Sequence, residues 1–491
     1  MKDYIINNNI VIEPQRELPV LDTTDVVIAG GGVAGFGAAI GSARLGVKTI
    51  LVENLGFLGG VATAQMMQAI NTGKYIDGAM VELIDRMHKK NGSISWDEKD
   101  RYAHAVGGFM NETINFDIEC FKETALEMCL EAGVQLLFYT RVCAPIVEGN
   151  TIKGIVIENK GGRQAILAKR VVDCTGDGDL LYQLGVPYIT GRDSDNHMRP
   201  LTVMFRVGGL DVPRMLEYLE AKPDEWQPHF RIDYKHKAGD DTVITRVSGF
   251  YDLVEEAKKN GDLYDWIHYL RFEAVYVEKG IALCNTSRVY YLDGTNNQDL
   301  VKGEILGRQQ MAKIISFIKK YVPGGENAYI LDVAPVIGVR ETRRFIGEYF
   351  FTNEDLYSSK HFDDTIITAV RRMPVESIKD QIDVHPTEPV EGAKNDWNER
   401  DQTTPLMEVR EFYLNYRMLL PQGIENMLYA GRTMSTTHLV EAFIRSMAWC
   451  ERFGQVAGAA AALSVKENVS PKQLEFAKLK EALISQGYTR F

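Results

Sequence analysis

The sequence predicts an α/β protein built from two domains, the first of which is split in sequence by the second. Residues 25–54 read as strand, glycine turn, small-residue helix and strand, the order of a β-α-β unit. Two later apolar runs also end in glycine turns, at Thr175-Gly176 and at Gly431. Between about 205 and 425 aromatic and charged residues become denser and long loops appear, which indicates a second domain.

The glycine turn has the spacing Gly30-x-Gly32-x-x-Gly35. In a Rossmann-like domain the first glycine permits the tight turn, the second lets the backbone approach a pyrophosphate, and the third packs helix on strand. The pyrophosphate then lies at the helix N-terminus, where free N–H groups favour anions. Glu53 closes the next strand, about 20 residues on, where a ribose hydroxyl needs an acceptor. A carboxylate there also disfavours the 2′-phosphate of NADP.

The remaining glycines distinguish between dinucleotides. Gly59-Gly60 follows Glu53 closely and predicts a second approach of backbone to ligand, which a plain nicotinamide dehydrogenase does not need. Together with the turns at Gly176 and Gly431, it favours a long, extended dinucleotide such as FAD over NAD. A flavin-free NAD-binding module is the alternative that explains these turns poorly.

Residues 116–133 have apolar positions at helical spacing, and residues 134–173 alternate apolar and polar positions with turns at "EGN" and "KGG". This predicts a helix, then a small antiparallel sheet that returns to an apolar strand. We predict a nucleotide-binding domain made of residues 1–205 and 425–491, with a substrate domain of residues 206–424 covering it.

The composition excludes several classes of protein. The 491 residues carry a formal net charge of −12, which argues against a nucleic-acid groove. The N-terminal residues lack the apolar core of a signal peptide, and "GQVAGAAAALSV" is too short to span a bilayer, so we expect a cytoplasmic protein without membrane contact. The six cysteines form no CxxC pair and the nine histidines show no paired spacing. We therefore expect reduced thiols, no iron–sulfur cluster and no metal site.

The ordered set of motifs resembles the FAD-dependent oxidoreductases of the fumarate reductase and succinate dehydrogenase flavoprotein type, in a sparsely characterised bacterial branch. The resemblance runs from about residue 25 to 465. The motifs that carry it are "VVIAGGGVAGFGAAI", "LVENLGFLGGVAT", "VVDCTGDGDL", "IGVRETRRFIGEY" and "MLYAGRTMSTTHLVEAFIRSMAWCERFGQVAG".

The resemblance implies a role for each element of the FAD site. The glycine turn would hold the pyrophosphate, Glu53 the adenosine ribose, and the backbone of Val142 the adenine. The residues so implied for the pyrophosphate are Gly30, Gly32, Val33, Ala34 and Gly35; beside the ribityl chain and flavin ring they are Gly59, Gly60, Val61, Ala62 and Thr63. Those closing over the adenosine side are Thr175, Gly176 and Asp177; those near the ribityl chain and phosphates are Gly431 and Arg432. Ser446, Met447 and Ala448 would start a helix aimed at the flavin, whose dipole stabilises negative charge.

The sequence departs from that type in two respects. The motifs with which fumarate reductases clamp a dicarboxylate are not found, so fumarate is not the expected substrate. No histidine stands near the second glycine loop (residues 54–67) for covalent attachment, so we expect non-covalent FAD.

Two segments supply candidates for the chemistry. His438 and Arg445 precede the helix that meets the flavin; Arg445 is a candidate for substrate contact and His438 for acid–base work, although Glu441 also pairs with Arg445 at i,i+4 spacing. In "IGVRETRRF", Arg340 is the third candidate. Arg340, Arg343 and Arg344 either form a salt-bridged face or clamp an anion. Weaker candidates are His104, Asp383 and His385.

We thus expect an FAD-dependent oxidoreductase that dehydrogenates or reduces a small organic metabolite by hydride transfer at the flavin. An oxygen-using oxidase or monooxygenase is one alternative. A flavin-containing electron-transfer subunit of a larger redox complex is another. The electron partner is open between a redox protein and a nicotinamide donor.

Overall fold

The protein has a mixed α/β fold. Its structure, a computed structural model, describes residues 5–7, 9–71, 76–94, 113–226, 235–374 and 407–491. The strands are, in chain order, β1 (Ile5–Asn7), β2 (Ile10–Ile12), β3 (Val20–Ala29), β4 (Thr49–Val52), β5 (Ala69–Asn71), β6 (Thr113–Asn115), β7 (Gln135–Leu137), β8 (Arg141–Glu148), β9 (Thr151–Asn159), β10 (Gly162–Asp173), β11 (Tyr188–Thr190), β12 (Phe205–Gly208), β13 (Lys235–Ala238), β14 (Asp241–Gly249), β15 (Leu270–Tyr276), β16 (Ile281–Cys284), β17 (Tyr329–Val333), β18 (Arg343–Phe345), β19 (Thr365–Pro374), β20 (Met407–Asn415) and β21 (Met427–Tyr429).

The α-helices are α1 (Val33–Ala43), α2 (Gly78–Lys89), α3 (Ile118–Glu131), α4 (Asp179–Gln183), α5 (Val212–Ala221), α6 (Tyr251–Lys259), α7 (Asn297–Tyr321), α8 (Asn353–Tyr357), α9 (His438–Ile444), α10 (Met447–Lys466) and α11 (Phe476–Ser485). Short 3-10 helices cover Gly60–Ala62, Pro223–Glu225, Tyr416–Leu419 and Pro471–Gln473.

The first sheet has the strand order β7-β4-β3-β10-β9-β8, with β21 also paired to β10. Strands β7, β4, β3, β10 and β21 are parallel, whereas β8, β9 and the first half of β10 form an antiparallel meander. β10 belongs to both parts because its residues 162–167 pair with β9 and its residues 171–173 pair with β21. The β-α-β unit and the antiparallel sheet predicted from the sequence are therefore joined in one sheet.

Both faces of the first sheet are covered, as parallel sheets require. Val26 and Ile28 of β3 pack into one core with α1 and α10, while Val27 and Ala29 point into a second core on the opposite face. This alternation follows from the two-residue period of a strand. The free N-termini of α1 and α10 consequently lie at the same edge of the sheet, where the parallel strands end.

Helices α1 and α10 cross with their backbones in contact. An added Cβ would lie 2.3 Å from the Glu451 oxygen at Gly37 and 1.9 Å from the Ala38 oxygen at Gly458. Gly41 and Gly454 are equally close to the partner helix. Glycine is thus required on both helices for α10 to reach the sheet at this depth.

The helix crossing gives a first testable prediction. We expect Gly458→Ala to lower the free energy of unfolding by about 3 kcal/mol, since the methyl group displaces backbone rather than a side chain. Gly303→Ala in α7 is the matched control, because its methyl group meets only side-chain ends, those of Ile337, Leu201 and Leu292 at 2.9, 3.0 and 3.4 Å. Urea unfolding of the control is expected within about 1 kcal/mol of the wild type. Equal midpoints for the two variants would contradict this account of the crossing.

The second sheet is antiparallel, in the order β13-β14-β15-β16-β12-β17, and encloses its own core with α5, α6 and α7. Its strands lie between residues 205 and 333 and, apart from Phe205, fall in the segment predicted as the substrate domain. Strand β18 pairs instead with β11, and β19 and β20 contribute Ile366, Ile367 and Phe412 to the first core. The exact division into 1–205, 206–424 and 425–491 stays a prediction.

Candidate functional site

The glycine turn between β3 and α1 is shaped by two close backbone contacts. Gly30 has φ +98°, and a Cβ there would lie 2.5 Å from the carbonyl oxygen of Cys174. A Cβ at Gly35 would lie 1.8 Å from the Gly30 oxygen. These two glycines are therefore required by the fold itself, with or without a ligand.

Gly32 differs from its neighbours because its Cβ position is open. The nearest atom to a Cβ at Gly32 is the Gly60 Cα at 3.9 Å, and its backbone has the ordinary angles φ −64° and ψ −175°. Gly32 caps α1 without a side-chain hydrogen bond, and the N–H groups of Val33, Ala34 and Gly35 have no acceptor inside the helix. The N-terminus of α1 thus has three N–H donors beside the open Cβ position of Gly32, an arrangement that favours an anion.

The second glycine loop runs beside this space. The Gly59 N–H donates to the Gly31 oxygen at 2.9 Å, and Gly32 and Gly59 form an isolated parallel bridge. Gly59 and Gly60 have φ +110° and +52°, and the Thr63 hydroxyl donates to the Leu58 oxygen at 2.7 Å. Two segments that are separated in sequence by α1 and β4 are therefore joined through the backbone of their glycines.

The short 3-10 helix of the loop carries the other residues implied for the flavin side. Ala62 is fully buried, and Val61 is partly buried at the edge of the first core.

Glu53 occupies the end of β4, as the ribose-binding prediction requires. Its carboxylate accepts hydrogen bonds from the Gly31 N–H at 2.7 Å and from the Leu55 N–H at 2.8 Å. Burial raises the pKa of this carboxyl, and the backbone hydrogen bonds offset part of that rise. Each oxygen keeps a further lone pair for a hydroxyl. The Thr140 N–H donates to the Glu53 carbonyl, so β8 with the partly buried Val142 begins next to this site.

The turn after β10 is tied to the turn after β21. Thr175 donates from both its N–H and its hydroxyl to the buried carboxylate of Asp173, at 3.0 and 2.7 Å. Arg432 forms an ion pair with Asp177, and Gly176 with φ +85° lies against the Arg432 guanidinium. Gly431, with φ +111°, has the Ala34 Cβ as its nearest neighbour, so this turn reaches α1.

The N-terminus of α10 completes the edge. Ser446 is its N-cap residue but makes no capping hydrogen bond, and Met447 and Ala448 form the buried first turn. The positive end of a 20-residue helix dipole is therefore available to a ligand.

A buried ionic network surrounds His438. Its Nδ1 lies 2.9 Å from the Glu341 carboxylate, which also pairs with Arg344. Arg199 donates to Glu441 at 3.1 Å and from its backbone N–H to Glu341 at 3.2 Å. Burial alone would raise the pKa of Glu341, but the His438 hydrogen bond and the charges of Arg199 and Arg344 outweigh it, so the pKa is lowered.

Arg445 and Arg340 have different surroundings. Arg445 follows α9 and lies 3.6 Å from Glu441, the i,i+4 neighbour considered for it from the sequence. Arg340 donates to the Pro200 oxygen at 2.6 Å and to the Thr202 hydroxyl. The other two arginines of "IGVRETRRF" have partners of their own. Arg344 is buried in its ion pair with Glu341, and Arg343 lies over the Tyr182 ring.

A family model described as "FAD dependent oxidoreductase" matches residues 25–483 of this chain. The chain belongs to the FAD-dependent oxidoreductase family. It is an enzyme of that family, and FAD is its cofactor.

Two curated relatives match shorter parts of this oxidoreductase. Digeranylgeranylglycerophospholipid reductase 1 of Methanococcoides burtonii is 26% identical over 163 residues, 32% of this chain and 38% of the relative. Dihydrolipoyl dehydrogenase of Trypanosoma brucei brucei is 30% identical over 170 residues, 33% of this chain and 32% of the relative. The matched part thus spans about a third of each relative's length.

Two solved structures resemble the oxidoreductase over most of its length. A geranylgeranyl bacteriochlorophyll reductase-like protein from Thermoplasma acidophilum has a TM-score of 0.44 and 11% identity, covering 95% of this chain and 84% of the other. A p-nitrophenol 4-monooxygenase from Pseudomonas putida has a TM-score of 0.46 and 9% identity, covering 95% and 85%.

The residues present fit FAD. The open position at Gly32, the close passage of the second glycine loop and the uncapped α10 all lie where strands β3, β4, β10 and β21 end. The residues assigned to FAD from the sequence come together along this edge, and their individual contacts stay predictions.

Of the candidates for chemistry, His438, Arg445 and Arg340 converge around the segment that joins β17 to β18. His104, Asp383 and His385 lie outside the described residues.

Sequence reasoning missed four polar residues of the site. Glu341 and Arg199 build the network around His438, and Asn285 and Arg288 lie beside Arg340. Glu341 had a local signal, since it is the one carboxylate among the arginines of "VRETRR". Arg199 and the pair Asn285 and Arg288 are far in sequence from Glu341 and Arg340 and had none.

No group of three or more potential metal ligands occurs among the described residues, and the cysteines there are free thiols. Of the helices in the described ranges, none is long and apolar enough to cross a membrane.

Glu451 gives a pH prediction for helix α10. Its carboxyl is fully buried against α1, where the backbone N–H of Met80 is a nearby donor. Burial raises its pKa to about 8, opposed by the charge of Arg452. A raised carboxyl pKa gives stability that is complete below the unfolded pKa, near 4.5, and is lost as pH rises through about 8.

We therefore expect Glu451→Gln to match the wild type near pH 5 and to exceed it by a few kcal/mol above pH 8, because the glutamine stays neutral. The measurement is the free energy of unfolding of both proteins across this range. A constant difference between them at every pH would exclude a neutral Glu451.

Proposed function

We propose that this oxidoreductase dehydrogenates or reduces a small organic metabolite beside a non-covalently bound FAD. When bound, FAD supplies the two-electron acceptor or donor for a hydride. The observation that carries the proposal is the second glycine loop. Its Gly59 end contacts the glycine turn, and its Ala64 oxygen accepts a hydrogen bond at 3.2 Å from Val336, four residues before Arg340. A substrate held by His438, Arg445 and Arg340 would therefore lie next to the cofactor.

The cofactor contacts in this proposal follow the edge of the first sheet. The N-terminus of α1 holds the pyrophosphate, Glu53 the ribose and Val142 the adenine. Arg432, Thr175 and the turn around Asp177 close the adenosine and phosphate side. Residues 59–63 and the first turn of α10 face the flavin, where the helix dipole favours negative charge.

His438 is the residue we propose for proton transfer. Its Nδ1–H donates to Glu341, so its Nε2 carries the transferable position, and the carboxylate holds the ring in one orientation. Glu341 is buried, but its hydrogen bond to His438 and the charges of Arg199 and Arg344 keep it ionised. Hydride chemistry at carbon commonly requires such a proton donor or acceptor.

Arg445 and Arg340 are the residues we propose for orienting the substrate. Arg445 immediately precedes the N-cap of α10, so a group bound to it lies at the flavin end of that helix. This arrangement supports placing the chain in the branch that resembles the fumarate reductase type. The electron partner, a redox protein or a nicotinamide donor, and the cytoplasmic location stay predictions.

Anaerobic reduction of the flavin tests the proposal. We expect a metabolite screened against the FAD-loaded protein to bleach the flavin, or to reoxidise a chemically reduced flavin, with little acceleration by oxygen. Rapid reoxidation by air with peroxide formation would instead indicate an oxidase or monooxygenase. Flavin reduction that depends on a co-purifying protein would indicate an electron-transfer subunit.

A further inference from the structure

Two arginines on different segments converge on one neutral side chain. Nη1 of Arg288 lies 3.3 Å from Oδ1 of Asn285, and Nη2 of Arg340 lies 3.4 Å from the same oxygen. Both contacts are long for hydrogen bonds to a charged donor, which are normally 2.7–2.9 Å when the acceptor is an anion. Two guanidinium groups thus share an amide oxygen that satisfies neither charge.

The acceptors seen for these two arginines are all neutral. Arg288 donates to the carbonyl oxygens of Asn285 and Ser287, at 3.1 and 2.7 Å. Arg340 donates to the Pro200 oxygen and the Thr202 hydroxyl. Among the residues that the structure describes, no carboxylate forms an ion pair with either. The neighbouring Arg271, by contrast, pairs with the buried Glu273.

The positive charge is held in a desolvated place. Burial lowers the pKa of Arg288, and burial followed by the charges of Arg288, Arg445 and Arg271 lowers that of Arg340 well below its ordinary value. Arginine keeps its proton in proteins, so the charge persists and an anion brought here would relieve its repulsion.

The pair faces the cofactor edge and is accessible. Arg288 and Arg340 are each only partly buried. Nδ2 of Asn285 lies 3.9 Å from the sulfur of Met67, the last residue of the second glycine loop. A ligand on the two arginines would therefore lie between the second sheet and the loop that lines the FAD crevice.

We propose that Arg288 and Arg340 form a subsite that binds an oxyanion, a carboxylate or phosphate group, of the substrate. Planar guanidinium groups bind either oxyanion through paired N–H donors. A substrate that uses this subsite is an anionic metabolite. Its anionic group binds at the second sheet, and its reacting carbon faces the flavin. This identification of the substrate rests on the proposed function, whereas anion binding itself does not.

Thermal unfolding of the FAD-loaded protein in acetate and in inorganic phosphate, at ionic strength held constant with chloride, tests the subsite. Specific binding raises Tm with concentration and yields an apparent Kd. We expect stabilisation by at least one of the two anions beyond that of chloride. The anion that acts identifies the group, and the absence of stabilisation by both would overturn the proposal.

Three variants locate the effect. Arg288→Gln and Asn285→Asp should each weaken anion binding at least about tenfold, the first by removing a charge and the second by placing a negative charge between the guanidiniums. Arg288→Lys keeps the positive charge but loses the paired N–H donors of the guanidinium. It should give an intermediate Kd while preserving the fold. Arg308→Gln, on the exposed face of α7, is the matched control and should bind as the wild type does.

Failure of this subsite is separable from failure of the proposed function. Unchanged anion affinity in both Arg288→Gln and Asn285→Asp, with FAD bound, would overturn the subsite and leave the flavin chemistry standing. Anion binding that depends on Arg288, in a protein whose flavin no metabolite either reduces or reoxidises, would contradict the proposed function alone.

Discussion

The Gly32→Ala variant should fold with nearly wild-type stability and lose FAD binding. A methyl group at Gly32 meets no protein atom closer than 3.9 Å, and the backbone angles there suit alanine, so we expect a cost below about 1 kcal/mol. The same methyl group occupies the space through which the pyrophosphate must approach α1. The dissociation constant of FAD should rise at least about a hundredfold, or roughly 2.7 kcal/mol.

The measurement is a titration of apoprotein with FAD, followed by flavin fluorescence, beside urea unfolding of the same apoprotein. Gly46→Ala is the control for FAD affinity but not for stability, since its Cβ meets nothing within 4 Å whereas its φ of +78° makes alanine costly to the fold. Gly35→Ala should show the opposite pattern and lose folding, because its Cβ would lie 1.8 Å from the Gly30 oxygen. Wild-type FAD affinity in Gly32→Ala would show that the pyrophosphate lies elsewhere.

The Glu341→Gln variant should be the most destabilised of the charge variants. The carboxylate is buried and serves Arg344, His438 and the Arg199 N–H, so its neutralisation leaves buried positive charge uncompensated. Breaking such a pair typically costs about 3–5 kcal/mol. Glu348→Gln makes the same chemical change at the exposed pair with Lys472 and should cost less than about 1 kcal/mol.

The effect of Glu341 should depend on pH with a definite sign. Because its folded pKa is lowered, its contribution is complete above the ordinary glutamate pKa and is lost as pH falls through the lowered value. The difference in unfolding free energy between wild type and Glu341→Gln should therefore be largest near neutral pH and shrink in acid. A difference no larger than that of Glu348→Gln at pH 7 would contradict the buried network.

Local sequence was enough to predict the cofactor edge. The glycine turn, Glu53 and the second glycine loop lie within about forty residues, and the close backbone contacts at Gly30 and Gly35 are those that the spacing suggests. The antiparallel meander was predicted by alternation. The pattern did not predict that β10, the last strand of the meander, also belongs to the parallel sheet. A single apolar run forms both sets of strand pairs.

The polar site depended on contacts that sequence spacing does not encode. His438 and Glu341 are 97 residues apart, and Asn285 and Arg340 are 55 apart. The three arginines of "IGVRETRRF" looked alike in sequence, yet Arg344 is neutralised by Glu341 whereas Arg340 points to the second sheet and neutral acceptors. Arg344 lies in strand β18, whereas Arg340 lies in the segment between β17 and β18, so the two side chains have different surroundings.

The first measurement to make is the visible absorption spectrum of the freshly purified protein, before and after heat precipitation. The account predicts an oxidised-flavin spectrum and release of all the flavin into the supernatant as FAD. Flavin retained in the precipitate would contradict non-covalent attachment. A colourless protein that also fails to take up added FAD would contradict the central claim that this glycine-lined crevice is an FAD site.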